Sequence, residues 1–427
     1  MQGTGSAGRG PDTMDRMPVR GMNLRTFASL KSGTYRIYWA AMMAQMGAMN
    51  MQMVARSLLM YEITKSATML GAVGLANAFP MLILALFGGV MADRVQKKYV
   101  LVAGQAASAA LALFVAICIS FGIISGSFLL LAAVLQGIVM ALMMPSRQAI
   151  VPEIVGREDL MNALSLNAAG MNINRLMAPV FAGFLVEWSG GVGASAYATV
   201  YYAMAVLYLV GTVIILFIPK TGTISLKGNG ALRDVLSGLQ YVRDNRTVLM
   251  VLLITLIGVI LSMPYMFLLP VFTTDIWNVG PGGFGVLMSV SGIGAIAGSL
   301  VLASLGNERR GVLYLGSMLL TGVGLTLLAF SPSFHIALGV IIIVGVGQAG
   351  RMALSNTLVQ YYTEEAYRGR VMSIYMMEFG VTSASTFLIA LLSEVIGVQW
   401  AVGGAAIALV VIVLVSWIGL PSLRRLD

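Results

Sequence analysis

An all-α membrane fold is predicted by three features of this sequence: scarce charge, recurring apolar runs, and basic residues gathered between alternate runs. Of the 427 residues, 58% are apolar and 10% are charged, against roughly 25% charged in soluble domains. The mean hydropathy is +0.89. So few charges cannot cover a water-facing surface of this size, so lipid is the solvent for most of the chain.

A helix crosses the hydrocarbon layer in about 20 residues, because the layer is about 30 Å thick and each residue rises 1.5 Å. Twelve apolar runs of suitable length occur, at 37–61, 68–92, 98–121, 126–146, 161–187, 197–219, 247–273, 282–305, 311–330, 333–355, 369–394 and 398–419. Helices satisfy their own backbone hydrogen bonds, which lipid cannot do. Pro264 and Pro270 are expected to break or bend the seventh run.

The 26 Lys and Arg residues are distributed very unevenly about these runs. In this reading 23 fall in the N-terminal tail, the even-numbered loops and the C-terminal end, with Arg147 and Arg351 counted among loop residues. Lys65 alone occupies an opposite loop, and Arg56 and Arg175 fall inside runs. Cytoplasmic loops hold the excess of basic residues, so both termini are predicted to be cytoplasmic. The net charge of +9 is thus topological, with some attraction to anionic lipid and no indication of nucleic-acid binding.

The predicted organisation is a disordered cytoplasmic tail (1–35), a six-helix bundle (36–219), a cytoplasmic linker (220–246), a second six-helix bundle (247–420) and a short cytoplasmic end (421–427). Within the linker, Leu232, Val235, Leu236, Leu239 and Val242 recur at helical spacing and predict an amphipathic interfacial helix. The halves repeat weakly at an offset of roughly 210 residues, as in carriers built from two related bundles with a solute site between them. Residues 1–21 carry no apolar run and do not read as a signal peptide.

Other chemistries find little support. Cys118 and His335 are the sole cysteine and histidine. No disulfide framework or histidine-rich metal site can be built from them, and a Ser-His-Asp triad would have to use His335. A Gly-x-x-x-x-Gly-Lys-Ser/Thr loop is absent, which argues against direct ATP drive. No cofactor or metal is expected, and an enzyme is disfavoured.

Between the second and third runs stands Gly89-Val-Met-Ala-Asp93-Arg94-Val-Gln-Lys97-Lys98. This resembles the Gly-x-x-x-Asp-Arg-x-x-Arg/Lys-Arg/Lys signature of the major facilitator superfamily. From Phe27 to Leu420 the chain is similar to the superfamily's drug and siderophore exporters, including enterobactin-exporter-like carriers. Supporting stretches are Tyr61-Glu-Ile-Thr-Lys-Ser-Ala, Pro145-Ser-Arg-Gln-Ala-Ile-Val-Pro152-Glu153, Phe284-Gly-Val-Leu-Met-Ser and Arg368-Gly-Arg370-Val-Met-Ser. The exporter signature Gly-Pro-x-x-x-Gly stands as Ala178-Pro179-Val-Phe-Ala-Gly183, with its first glycine replaced. The second-half copy of the loop signature, Gly306-Asn-Glu308-Arg309-Arg310, lacks the aspartate.

The resemblance implies a gating role for the loop. Gly89 would permit close helix approach, and Asp93 would face a helix N-terminus of the other half. Arg175 lies deep in the fifth run, where an unpaired charge is costly. It is a candidate to bind anionic solute groups or to partner a titrating carboxylate, and a structural ion pair is the alternative. Glu378, in the eleventh run, is a candidate proton carrier, with neutral hydrogen-bonded packing as the alternative. Arg56 is expected to snorkel to the outer interface.

The superfamily lines its cavity with spans 1, 4, 7 and 10. That makes Gln45, Asn50, Gln52, Gln136, Tyr265, Gln348 and Asn356 cavity candidates. Met42, Met43, Met46, Met49, Met51 and Met53 crowd the first run and suit either a polyspecific cavity or ordinary packing. The expected protein is a monomeric multi-pass carrier of the cytoplasmic (inner) membrane. It would export a small amphipathic solute in exchange for protons. A proton-coupled importer or uniporter of a nutrient is the first alternative, and a membrane enzyme or non-transporting receptor a remote one.

Overall fold

The computed structural model is all-helical. It describes residues 28–156, 158–191, 193–219, 231–305 and 309–426. Most of the expected N-terminal tail, the start of the linker and Gly306–Glu308 lie outside these residues.

The N-terminal group comprises α1 (Gly33–Thr64), α2 (Ala67–Arg94), α3 (Lys97–Ser120), α4 (Gly126–Ile154), α5 (Leu160–Trp188) and α6 (Ala198–Leu216). The linker helix α7 (Ala231–Asp244) follows. The C-terminal group comprises α8 (Arg246–Ser262), α9 (Pro264–Val271), α10 (Gly280–Ser304), α11 (Arg310–Ala329), α12 (Phe334–Tyr361), α13 (Glu365–Met376), α14 (Glu378–Ile396), α15 (Val398–Gly419) and the short α16 (Pro421–Arg424). Serine caps recur where chains enter helices: Ser32, Ser125 and Ser333 each accept from a backbone N–H three residues on, satisfying donors that a helix start leaves free.

Ten segments among the described residues are long and apolar enough to cross a membrane. Neither α1 nor α5 is among them, because each carries several amides and charges. Both helices are nonetheless 32 and 29 residues long and pack against other helices of the bundle, α1 on α5 and α6, and α5 on α1 and α10. Gln45 and Gln52 of α1 are buried among its neighbours, whereas Asn172 and Arg175 of α5 are exposed.

Two runs that read as single helices are broken. α8 ends at Ser262 and α9 restarts at Pro264, the expected break. Pro270 is followed by one π-type turn over Phe272–Ile276, the local rewinding expected where a donor is missing. The break between α13 and α14, immediately before Glu378, has no proline to announce it. Arg147 and Arg351, counted above as loop residues, lie inside α4 and α12. Arg351 is only 1% exposed, so the basic asymmetry is smaller than the sequence count and one basic residue becomes interior.

The first and last described residues lie at the same end of the molecule. Ser29 bonds Asn162 at the start of α5, and the Gly311 amide at the start of α11 bonds the Leu426 carbonyl. The linker helix α7 rests on α13: Tyr241 stacks on Tyr367 at 4.4 Å, and its hydroxyl accepts the Glu364 amide.

Close crossings rely on missing side chains. A Cβ on Gly298 of α10 would lie 2.8 Å from the Val346 backbone of α12. Gly298→Leu is therefore expected to lower stability by about 1–3 kcal/mol, the usual range for overpacking. Gly339→Leu on α12, where nothing stands within 4 Å, is the control. Thermal unfolding of the detergent-solubilised protein distinguishes them, and equal melting temperatures would refute the crossing argument.

Candidate functional site

The two helix groups meet through α2 with α14 and α5 with α10. Their close approaches to backbone lie toward the end away from the termini. A Cβ on Gly71 would fall 2.7 Å from the Phe387 Cα, one on Gly183 2.8 Å from the Pro281 carbonyl, and one on Gly285 2.6 Å from the Pro179 carbonyl. Polar contacts reinforce this seal. Tyr61 donates its hydroxyl proton to Asp275. Glu394 accepts from the Ser66 hydroxyl and from the Thr68 amide, so a carboxylate of one group caps a helix of the other.

Below the seal the groups separate around a cavity of about 730 Å³. On α5 its lining residues, Asn172 and Arg175, precede the sealed stretch. On α10 they follow it, from Ser291 to Leu300. The cavity therefore lies on the termini-bearing side of the seal. The first turns after the α8–α9 break contribute Met263, Tyr265 and Met266, and α12 contributes Gln348, Arg351, Met352 and Asn356. A smaller, more open hollow of about 370 Å³ lies on the surface beside α16, between Arg309, Trp417 and Arg424. It is remote from both groups' contact faces.

Four of the sequence candidates thus share one cavity: Arg175, Tyr265, Gln348 and Asn356. The candidates from the N-terminal group occupy other places. Gln45 donates to the Met143 sulfur and accepts from Gln105. Gln136 donates to Ser108, and Gln52 accepts from Tyr208. Asn50 donates to the carbonyl of Met46 on its own helix. The three glutamines tie helices together, as polar side chains commonly do in lipid, and none of the four lines the cavity.

Arg56 is half-buried, with Nη1 enclosed and without a partner. Tyr201 and Tyr208 stand near enough to act on its charge. It therefore faces protein, where snorkelling to the interface was expected. In the loop signature, Lys97 pairs with Glu153 of α4 at 2.7 Å. Lys98 donates to the Leu216 carbonyl at the end of α6 at 2.7 Å, a favourable place for a cation. Both contacts stay within the N-terminal group. Arg94 is exposed. Gly89 and Asp93 lie on the last turns of α2, and their side chains fall outside the described residues.

Arg351 is the residue that sequence reasoning missed, because it was counted with the cytoplasmic loop although it stands inside the tenth run, 333–355. It lies about 15 Å inside the end of α12 at helical rise. Its Nε donates to Gln348 Oε1 at 3.1 Å, and Gln348 Nε2 donates to Ser262 of α8 at 3.3 Å. Arg351 Nη1 is buried without a partner. Glu378, half-buried at the start of α14, also has an enclosed oxygen without a partner. Arg351 is near enough to act on it electrostatically, yet the two are not within ion-pair distance among the described residues. Tyr314 bonded to Thr255 at 2.7 Å and Tyr375 bonded to Ser355 at 2.9 Å complete this polar layer.

A family model described as transmembrane secretion effector matches residues 24–427. The chain belongs to this family, within the major facilitator superfamily. The staphyloferrin A transporter of Staphylococcus aureus is 25% identical over 337 residues, covering 78% of this chain and 83% of that protein. A multidrug efflux pump of Mycolicibacterium fortuitum is 24% identical, covering 92% of this chain and 96% of that one. An enterobactin exporter of Escherichia coli is 25% identical over 69% of each chain. In fold, the transporter is similar to an inward-facing, unoccupied bacterial homologue of the lysosomal transporter Spinster. That match has a TM-score of 0.71 at 13% identity and covers 95% of this chain and 98% of that one. The nucleoside transporter NupG reaches a TM-score of 0.68 at 14% identity, covering 90% of this chain and 98% of that one.

Gly183→Leu is expected to pry α5 from Pro281 and open the seal. With Cys118 replaced by Ala and Asn356→Cys as reporter, an impermeant thiol reagent applied from the face opposite the termini should then label the cavity. Without Gly183→Leu, labelling should come from the termini-bearing face alone. An unchanged labelling pattern would show that the seal does not depend on this glycine.

Proposed function

We propose that this transporter is a proton-coupled exporter of a small amphipathic solute, working by alternating access. It spans the cytoplasmic membrane twelve times in two six-helix bundles, with both termini in the cytoplasm. The observation that carries this reading is the cavity between the helix groups, sealed at one end by close helix crossings and lined by amide, arginine and methionine side chains.

Several features support the finer points. α1 and α5 are long enough to cross, and Gln45 and Gln52 of α1 are buried while Asn172 and Arg175 of α5 line the cavity, which keeps these groups from lipid. Basic residues still cluster at the end bearing the termini after Arg351 is moved inside, which favours a cytoplasmic location for that end. The cavity then faces the cytoplasm, where an exporter loads. The broken α8–α9 and α13–α14 segments supply hinge points beside it. Relatives named as siderophore, macrolide and multidrug carriers make efflux the favoured direction. Glu378 is the proton carrier in this reading. Its carboxyl is enclosed, lacks a fixed hydrogen-bond partner and lies under the influence of Arg351. The loop signature, with Asp93 and Arg94, closes the cytoplasmic side in the opposite state, and the carrier works as a monomer.

Proteoliposomes loaded with a siderophore, a macrolide or an amphiphilic dye provide the test. A 1:1 proton exchange supports about tenfold solute accumulation per pH unit, since 1.4 kcal/mol corresponds to a factor of ten. Imposing a gradient should therefore drive export of at least one probe, and Glu378→Gln should leave exchange of solute for solute while removing the response to the gradient. Flux indifferent to the gradient in the unaltered protein would overturn proton coupling, and gradient-driven uptake in the opposite sense would favour the importer.

A further inference from the structure

We infer that the cavity is a clamp for an anionic solute, one bearing a carboxylate or an equivalent anionic oxygen group on an apolar body, held between Arg175 of the N-terminal group and Arg351 of the C-terminal group. This deepens the exporter reading above and rests on it for the direction of movement, though not for binding.

Charge balance is the first argument. Arg175 and Arg351 both line the cavity, and among the described residues no aspartate or glutamate does. Neither arginine has a carboxylate within ion-pair distance among the described residues. A guanidinium stays protonated in proteins, so it cannot escape an enclosed site by losing its proton as lysine or histidine can. Glu378 influences Arg351 from behind the lining and does not itself line the cavity.

Geometry is the second. Arg351 is 1% exposed, and its fork is held by the chain from Nε to Gln348 to Ser262. With Nε engaged, Nη1 remains enclosed and unpartnered. A buried donor left without an acceptor costs as much as a lost hydrogen bond, and more when it is charged. A carboxylate supplies that missing acceptor, and it matches the planar guanidinium in two parallel bonds. Arg175 is exposed to the cavity and so reaches the same solute from the other side. Methionines 263, 266 and 352 give an adaptable apolar wall for the rest of the molecule. A cationic drug, by contrast, would find two like charges and no counter-ion.

Two dyes on one xanthene scaffold separate the possibilities at pH 7: carboxyfluorescein, an anion, and rhodamine 6G, a cation whose carboxyl is esterified. Binding is read by fluorescence polarisation on the full-length protein in nanodiscs. Saturable carboxyfluorescein binding is expected, weakened by salt. Arg351→Gln and Arg175→Gln should each weaken it about ten- to a hundredfold, the loss of a charge-assisted hydrogen bond. Arg351→Lys should fall between, because it keeps the charge and loses the fork. Rhodamine 6G should bind no more weakly to the glutamine variants than to the unaltered protein. Arg175→Gln decides the matter if Arg351→Gln does not fold, since the Arg175 side chain projects into open space. Carboxyfluorescein binding unmoved by Arg175→Gln, binding of rhodamine 6G alone, or binding of neither dye overturns the clamp. Gradient-driven flux of rhodamine 6G without carboxyfluorescein binding would sink the clamp and leave the exporter standing. Carboxyfluorescein binding without gradient-driven flux of any probe would do the reverse.

Discussion

Hydrocarbon offers no hydrogen bonds, and most of this structure follows from that. Every backbone amide inside the layer must find its partner within its own segment, so the crossing elements are helices. Each polar side chain must then find protein to face. α1 and α5 carry several amides and charges and pack against neighbouring helices, and Asn172 and Arg175 of α5 line the cavity. The glutamines of α1, α3 and α4 answer one another or a neighbouring hydroxyl or sulfur. The helices that do meet lipid are those richest in aliphatic residues, such as α6 and α15.

The same constraint explains why a cavity forms where it does. Without a hydrophobic force to draw helices together in lipid, tight contact depends on van der Waals fit, and small residues give the closest approach. Gly71, Gly183 and Gly285 concentrate that fit at one end of the interface between the groups. Large side chains such as Ile83, Phe87 and Leu300 occupy the other end and are exposed. The groups therefore touch at one end and part at the other. Ala178 replaces the first glycine of the exporter signature, yet Pro179 and Gly183 still meet α10 directly. The smallness of position 183 is what the crossing uses.

Much of the fold was legible in the sequence because hydropathy and basic charge report on lipid, and lipid acts on every residue of a span. The ten candidate spans among the described residues, the linker helix and the break at Pro264 were readable from local chemistry. The cavity was less so. Gln45, Gln52 and Gln136 look identical to Gln348 in sequence, and only packing decides which glutamine faces a neighbour and which faces space. Arg351 was hidden differently. It stands four residues before the end of the tenth run, 333–355, and its charge led it to be counted with the basic loop that follows. Its place inside the run could have marked it as interior, since α12 continues over 28 residues to Tyr361. The α13–α14 break carried no signal at all.

Arg351 ties the two proposed activities together. It lines the cavity, holds an enclosed nitrogen without a partner, and acts electrostatically on Glu378. An anion bound in the cavity and an ionised Glu378 would compete for the same guanidinium. In the proposed cycle, solute and Glu378 would thus be coupled through Arg351. A ligand shifts a conformational equilibrium only by binding one state better than the other. A solute held by Arg175 on one group and Arg351 on the other meets that condition, because both arginines reach it only when the groups stand at one separation. Glu378 begins α14, the helix that meets α2 across the interface. In the proposed cycle its charge state would be felt at the contact that opens when the cavity changes sides.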